Sequence, residues 1–187
     1  KYALDASGDV GALKWDAGVK LNAKSESSRN IWTIANHFGI STSINNFNIA
    51  NLANLKTALW ENSGQTPTDL QGADLINFVR GIDAYDENAD NDKTEKRWKL
   101  GDVYHSRLVV VGAPKSKTTT TATRSNTEAY YRYQNGYSNF KTGGSCGGNC
   151  GMRQEVVYVG ANDGMLHAFN SETGEEMWAF IPPTMLQ

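Results

Sequence analysis

No apolar run in this 187-residue chain approaches the ~18 residues a helix needs to cross a bilayer. An excess of one charge is missing too: 18 basic and 20 acidic side chains leave a formal net charge of −2. Such a balance lacks the electrostatic footprint of a protein that tracks nucleic-acid phosphates. Four prolines are too few for a proline-rich stalk. Lys1 to Val10 has no apolar core of a secretion signal, and the chain opens inside a strand pattern, as an excised stretch of a longer protein would. Hydrophobic residues make up only 39%, so the core is modest, and one domain is expected at this length.

Turn formers are plentiful instead. The chain holds 18 glycines and 18 asparagines, and both residue types tolerate positive φ. Lys1 to Leu21 reads as strand, turn, strand around Ser7-Gly8-Asp9. Asn30 to Phe38 suits either a helix or a strand. Leu52, Leu55, Leu59 and Trp60 share one face of a helix from Ala50 to Trp60, stopped by Asn62-Ser63-Gly64. Thr68 or Asp69 caps a second helix running to Arg80, with Gly81 as its C-terminal cap. Leu108 to Val111 predicts a buried strand, and Pro114 to Glu128 an exposed loop. Val156 to Val159 and Met165 to Phe169 predict two strands around Asn162-Asp163-Gly164.

The end of the chain echoes its start. Ala168-Phe169-Asn170 leads through Thr173-Gly174 to Trp178, as Ala3-Leu4-Asp5 leads through Gly8 and Gly11 to Trp15. A glycine stands four residues before each tryptophan. This unit suits the antiparallel strands of a propeller blade, which cannot bury both faces without neighbours. The expected fold is mainly β: a β-propeller fragment with quinoprotein-like blades and long loops. It forms one partial propeller domain over residues 1–187, with a mainly helical and loop insertion at about residues 41–97.

The strongest chemical signal is acidic. Asp83, Asp86, Glu87, Asp90 and Asp92 crowd five carboxylates into ten residues with no base among them. Crowded like charges repel, and a hard cation relieves them through oxygen ligands. Asp86, Asn88 and Asp90 match positions one, three and five of a Ca²⁺ loop; Asn91 takes the sharp-turn position, and Asp92 offers its carbonyl. Position twelve is Arg97 rather than Glu, so Glu95 would have to close the site differently. Two readings stand, a solvated acidic loop and a Ca²⁺ site.

The histidines are His37, His105 and His167. The last two lie in strand-like segments, where structural hydrogen bonding is expected rather than catalysis. Ser106 beside His105 is no nucleophile–base pair, because neighbours in a strand point to opposite faces. Asp102 reads as a turn or cap residue. Tyr130, Tyr131, Tyr133, Tyr137 and Phe140 form either an adhesive surface or core packing.

Several motifs are specific. Leu100-Gly101-Asp102-Val103-Tyr104-His105-Ser106 with Val109-Val110-Val111-Gly112, and Val157 to Phe169 continuing through Thr173-Gly174-Glu175-Glu176 to Ala179-Phe180-Ile181-Pro182, resemble signatures of the PilC/PilY family. Trp15-x-Ala17, Arg29-Asn30-Ile31 and Leu75 to Gly81 follow in matching order. The sequence departs from that pattern at Arg107-Leu108, where a small residue and Pro are expected. The resemblance implies a non-enzymatic, exported bacterial protein of the pilus tip or outer membrane. It implies roles in type IV pilus assembly, retraction control and adhesion, with pilins or minor pilins and a host or abiotic surface as partners. It does not carry a Ca²⁺ site onto the acidic loop.

In an exported protein, Cys146 and Cys150 read as a local disulfide across Gly147-Gly148-Asn149. A Zn²⁺ site would need two further ligands nearby, and the sequence shows none. The alternative function is a propeller fragment of a quinoprotein dehydrogenase, whose blades share an Ala-x-Asp-x-x-Thr-Gly-x-x-x-Trp-like repeat. A shared repeat explains architecture and says nothing of activity.

Overall fold

The structure is a computed structural model that describes residues 1–34, 39–40, 45–117, 125–143 and 150–186. It divides into two compact units, one of Lys1–Val109 with Val157–Gln187 and one of Val110–Val156. Among the described residues no helix is long and apolar enough to cross a membrane.

The first unit opens with a hairpin of β1 (Tyr2–Leu4) and β2 (Val10–Leu13). Its turn is set by Asp5, whose Oδ1 accepts the N–H groups of Ser7 and Asp9 at 2.9 Å each. The strand expected to run on to Leu21 does not form. Asp16 accepts the Val19 N–H at 2.9 Å and caps a helix, α1 (Ala17–Ala23), that turns Leu21 into the core. Trp15 therefore precedes a helix, whereas Trp178 lies within a strand, and the two halves of the repeat diverge.

Five strands form the main sheet: β3 (Ile31–Thr33), β4 (Val109–Val111), β5 (Val156–Gly160), β6 (Leu166–Asn170) and β7 (Glu176–Ile181). Their order is β3-β7-β6-β5-β4. The final stretch thus holds three strands where the sequence pattern suggested two. Strands β6 and β7 pair antiparallel, but β3 lies parallel to β7, with Ile31 opposite Ala179 and Thr33 opposite Ile181. A blade of four antiparallel strands has no such pair. The sheets and their seven strands do not close into a barrel among the described residues. The valines of β4, read as buried, are 52%, 56% and 37% exposed, because their apolarity reflects β-propensity rather than burial.

Two helices lie within the stretch read as an insertion, α2 (Leu52–Trp60) and α3 (Asp69–Arg80). Thr68 and Gln71 exchange the two bonds of a capping box at the start of α3: Gln71 N–H to Thr68 Oγ1 at 3.2 Å, and Thr68 N–H to Gln71 Oε1 at 2.8 Å. Gly81 ends the helix in the left-handed region, with φ +111°. Leu55, Ala58 and Ile76 join Ile31, Phe47, Met165, Ala179 and Ile181 in one core, so the helices and the sheet are buried together. A smaller core gathers Leu21, Val159 and Phe169. The other face of the sheet carries Trp32, Tyr158, Trp178 and Phe180; Trp32 meets Phe180 at 4.6 Å and Trp178 at 6.2 Å between ring centroids.

In the second unit, the aromatic segment is helical: α4 (Glu128–Gln134), capped by Thr127, and α5 (Tyr137–Thr142). Tyr131 and Tyr133 are exposed.

Gly174, in the turn between β6 and β7, has φ +76°, and a Cβ there would stand 2.5 Å from the Trp15 ring. The rigid indole cannot yield as a flexible side chain would. Gly174→Ala is expected to cost about 1–3 kcal/mol, read as a lower urea midpoint; an unchanged midpoint would contradict this contact.

Candidate functional site

The densest chemistry in the first unit is a buried chain of charges that a bulge creates. On β6 and β7, Phe169 stands opposite Glu176, yet Ala168 stands opposite Trp178. The register slips by one residue at Met177. Strict alternation would put Glu176 and Trp178 on one face; the slip separates them. Glu176 joins His167 and Phe169 on the inner face, where it is 2% exposed.

Arg29, fully buried just before β3, answers that carboxylate with a two-pronged bond: Nε to Oε2 at 3.0 Å and Nη2 to Oε1 at 2.9 Å. Its Nη1 donates to the Val79 and Arg80 carbonyls at the end of α3, at 3.2 and 3.1 Å. His167 stands between two acids, with Nδ1 2.9 Å from Glu176 Oε1 and Nε2 3.0 Å from Asp163 Oδ2. Asp163 also accepts the N–H groups of Gly101 and Met165, both at 3.0 Å. Arg80 is buried beside this chain and gives its guanidinium to the carbonyls of Phe47, Glu26 and Arg29 at 2.7–2.8 Å, and to Asn45 Oδ1 at 3.0 Å.

These contacts shift proton affinities in a consistent sense. Burial pushes the Glu176 carboxyl up, but His167 and Arg29 outweigh it and hold it down to about 2. Burial likewise raises Asp163, and the His167 and backbone N–H bonds bring it below its ordinary value. Burial lowers His167, while the bonds to Asp163 and Glu176 more than reverse this and raise it. The imidazolium, with a proton on each nitrogen, is the form that fills both bonds.

The acidic loop hangs from the same helix end. Its feet are joined by the Ile82–Lys96 bridge, by Asp83 N–H to Glu95 O at 2.9 Å and by Arg97 N–H to Gly81 O at 3.1 Å. Asp83 is buried at the base and accepts the Glu87 N–H on both oxygens at 2.9 Å. Asp86, Ala89 and Asn91 have φ of 57°, 60° and 68°, which coil the loop tightly. Asp86 Oδ1 accepts the Asn91 N–H at 3.1 Å. Asp90 Oδ1 accepts the Asp92 N–H at 2.8 Å, and Asp92 Oδ1 the Thr94 N–H at 2.9 Å. The Asn88 amide reaches Asp90 at 3.0 Å and Glu95 at 2.9 Å. Asn88, Asp90 and Glu95 are thus brought together, while Asp86 and Asp92 serve the loop's own turns. Arg97, at the mismatched twelfth position, pairs with Glu87 at 2.9 Å and covers the Phe78 ring. No group of three or more His, Cys, Asp or Glu side chains among the described residues is arranged to hold a metal ion.

Elsewhere, His105 lies outside any strand, with φ +60°, because the chain turns there. Ser106 Oγ accepts the Gly160 N–H at 3.0 Å, a structural task. Asp102 accepts the Asn162 N–H through its main-chain carbonyl at 2.9 Å. Cys150 is buried and is not a free thiol. Cys146 and His37 lie outside the described residues.

No family model matches the chain, and no solved structure matches it. Curated proteins do. It is 32% identical, over its whole length, to the type IV pilus biogenesis factor PilY1 of Pseudomonas aeruginosa strain UCBPP-PA14. It is 35% identical over 133 residues, 71% of the chain, to a PilY1 homolog of Xylella fastidiosa. The chain belongs to the PilY1 family. It spans 15% and 10% of the length of those two relatives. In this PilY1-family stretch, Arg29, Arg80, Asp163 and Glu176 carry the buried chemistry, and composition gave no sign of it. Arg29-Asn30-Ile31 and Glu175-Glu176 appear among the family-like motifs, but only the slip at Met177 reveals what they do.

The network predicts a pH profile. The raised His167 contributes stability that is complete below its ordinary value of 6.5 and is lost as pH climbs through the raised value. The depressed Glu176 contributes stability that is complete above its ordinary 4.5 and is lost as pH falls toward about 2. The urea midpoint is expected to be highest between these limits. His167→Gln should flatten the alkaline fall, and Glu176→Ala, which strands a buried arginine, should cost about 3–5 kcal/mol. A midpoint that climbs from pH 6 to pH 9 would refute the assignment.

Proposed function

We propose that this chain is a stretch of a type IV pilus biogenesis factor that acts at the bacterial surface, in pilus assembly, retraction control and attachment, without catalysing turnover. The observation that carries the reading is identity along the full chain to a protein named for pilus biogenesis. The buried groups support it. Arg29, Glu176, His167 and Asp163 spend their polar atoms on one another and on the backbone, as a scaffold does. The partners are pilins or minor pilins and a host or abiotic surface. Deleting the gene is expected to strip cells of surface pili. The full-length gene should restore them, and a copy carrying Glu176→Ala should not. Normal piliation and attachment in the deletion strain would end this reading.

The acidic loop is the cation-responsive part of the same proposal. Its donor set is all oxygen, as Ca²⁺ requires. Asp90, then desolvation, Asp92 and Asp83, raise the Glu95 carboxyl above its ordinary value, as neighbouring carboxylates do. Ca²⁺ would draw Asp86, Asn88, Asp90, Asp92 and Glu95 inward and relieve that repulsion. Calorimetry is expected to show saturable Ca²⁺ binding that Asp90→Ala removes. Equal heats from the two proteins would exclude the site.

A further inference from the structure

The first unit buries a lysine. Lys99 is 2% exposed. Its stem lies against the end of α3, where a Cβ at Gly81 would stand 2.5 Å from Lys99 Cγ and Cε. Only a glycine leaves room for the stem there. At its tip, Nζ donates to the main-chain carbonyl of Asn22, in α1, at 3.0 Å. An ammonium carries three donors, and among the described residues Nζ makes no second hydrogen bond.

Acceptors nearby are left over as well. Asn22 Oδ1 is buried without a hydrogen-bond partner, and so is Glu26 Oε2. The Glu26 charge acts on Lys99. Native proteins rarely strand buried polar atoms, and those they do strand mark strain, chemistry or a missing partner. Here an amine, a carboxamide and a carboxyl are gathered with polar atoms unspent on all three.

We propose that Lys99 Nζ joins Asn22 Cγ in an isopeptide bond, with Glu26 carrying the proton. The Nζ–Cγ bond forms and the Cγ–Nδ2 bond breaks. Nδ2 leaves as ammonia with the proton that Nζ gives up. No electrons are exchanged, and no oxidant or second substrate enters. Glu26 takes the proton as Nζ attacks and hands it to the departing nitrogen. The nucleophile is the neutral amine. Desolvation first, then the charges of Lys96 and Arg29, lower the proton affinity of Lys99 against the opposing pull of Glu26 and Glu176, and so favour that form. The contact with the Asn22 carbonyl already holds Nζ against the residue it attacks. Asn22 is only half-buried, which leaves ammonia a way out. The bond closes residues 22–99 into one covalent ring that contains β3, α2, α3 and the acidic loop. The inference rests on side chains of the first unit and not on the pilus role, so the two fail separately.

The test is a peptide map of the full-length protein, reduced and digested with trypsin. Residues 21–24 are expected joined to residues 98–107, because an acylated Lys99 is no longer a cleavage site. The joined pair should weigh one ammonia less than the two peptides together. Glu26→Gln is expected to lack the pair or to form it about a hundredfold more slowly, and Lys99→Arg to lack it altogether. Complete recovery of residues 21–24 and 98–99 as separate peptides from the unsubstituted protein would overturn the proposal. Residues 21–24 alone but one ammonia lighter would place a succinimide at Asn22 and overturn it too. Equal joining in Glu26→Gln would overturn the assignment of the proton to Glu26.

Discussion

A guanidinium buried without trace of solvent must be answered by an anion, and the Arg29–Glu176 pair is the constraint on which the first unit depends. Two charges removed from water repay their desolvation only with good geometry and with every remaining lone pair and proton engaged. Both conditions are met here. Arg29 bonds Glu176 through two prongs and spends its third nitrogen on the end of α3. Glu176 turns its shared oxygen to His167, which passes the requirement on to Asp163 and from there to the Gly101 N–H. Segments far apart in sequence are thereby held in one register. A one-residue slip of β7 would turn Glu176 away from the inner face and strand Arg29, so the pair favours the observed register.

The same helix end serves two purposes. Inside, its carbonyls accept from Arg29, and Arg80 fans out into three carbonyls of two other segments, Glu26 and Arg29 in one and Phe47 in the other. Outside, Gly81 reverses the chain into a loop rich in carboxylates, whose feet are tied and whose tip is exposed. A surface loop can tolerate crowded charge when its anchor does not move. Asp83 marks the change, buried at the foot and bonded to the loop backbone.

Local signals were readable from the chain itself. Thr68, Gln71 and Gly81 announce the ends of α3, and the spacing of Leu52, Leu55 and Leu59 announces α2, because caps and periodicity act over a few residues. The acidic loop was legible for the same reason. What escaped depends on pairing. The slip at Met177 reverses the facing of Glu176, and nothing in alternating hydrophobicity encodes it. The exposed valines of β4 show that β-branched residues report strand formation without reporting burial. Helix α1 was hidden by a Gly/Asp-rich opening, and only the cap at Asp16 distinguishes it from the strand expected there.

The parallel alliance of β3 with β7 has a consequence for biogenesis. Ile31 meets Ala179, and Thr33 donates its hydroxyl to the Ile181 carbonyl, across a separation of 148 residues. Until the far end of this stretch has been synthesised, Ile31–Thr33 has no mate, and Arg29 beside it has no carboxylate. The nascent chain must wait with an unpaired strand edge and an unanswered cation, the condition in which non-local β topologies fold slowly and invite aggregation. Holding factors that shield such an edge would matter most in that interval, before Glu176 emerges.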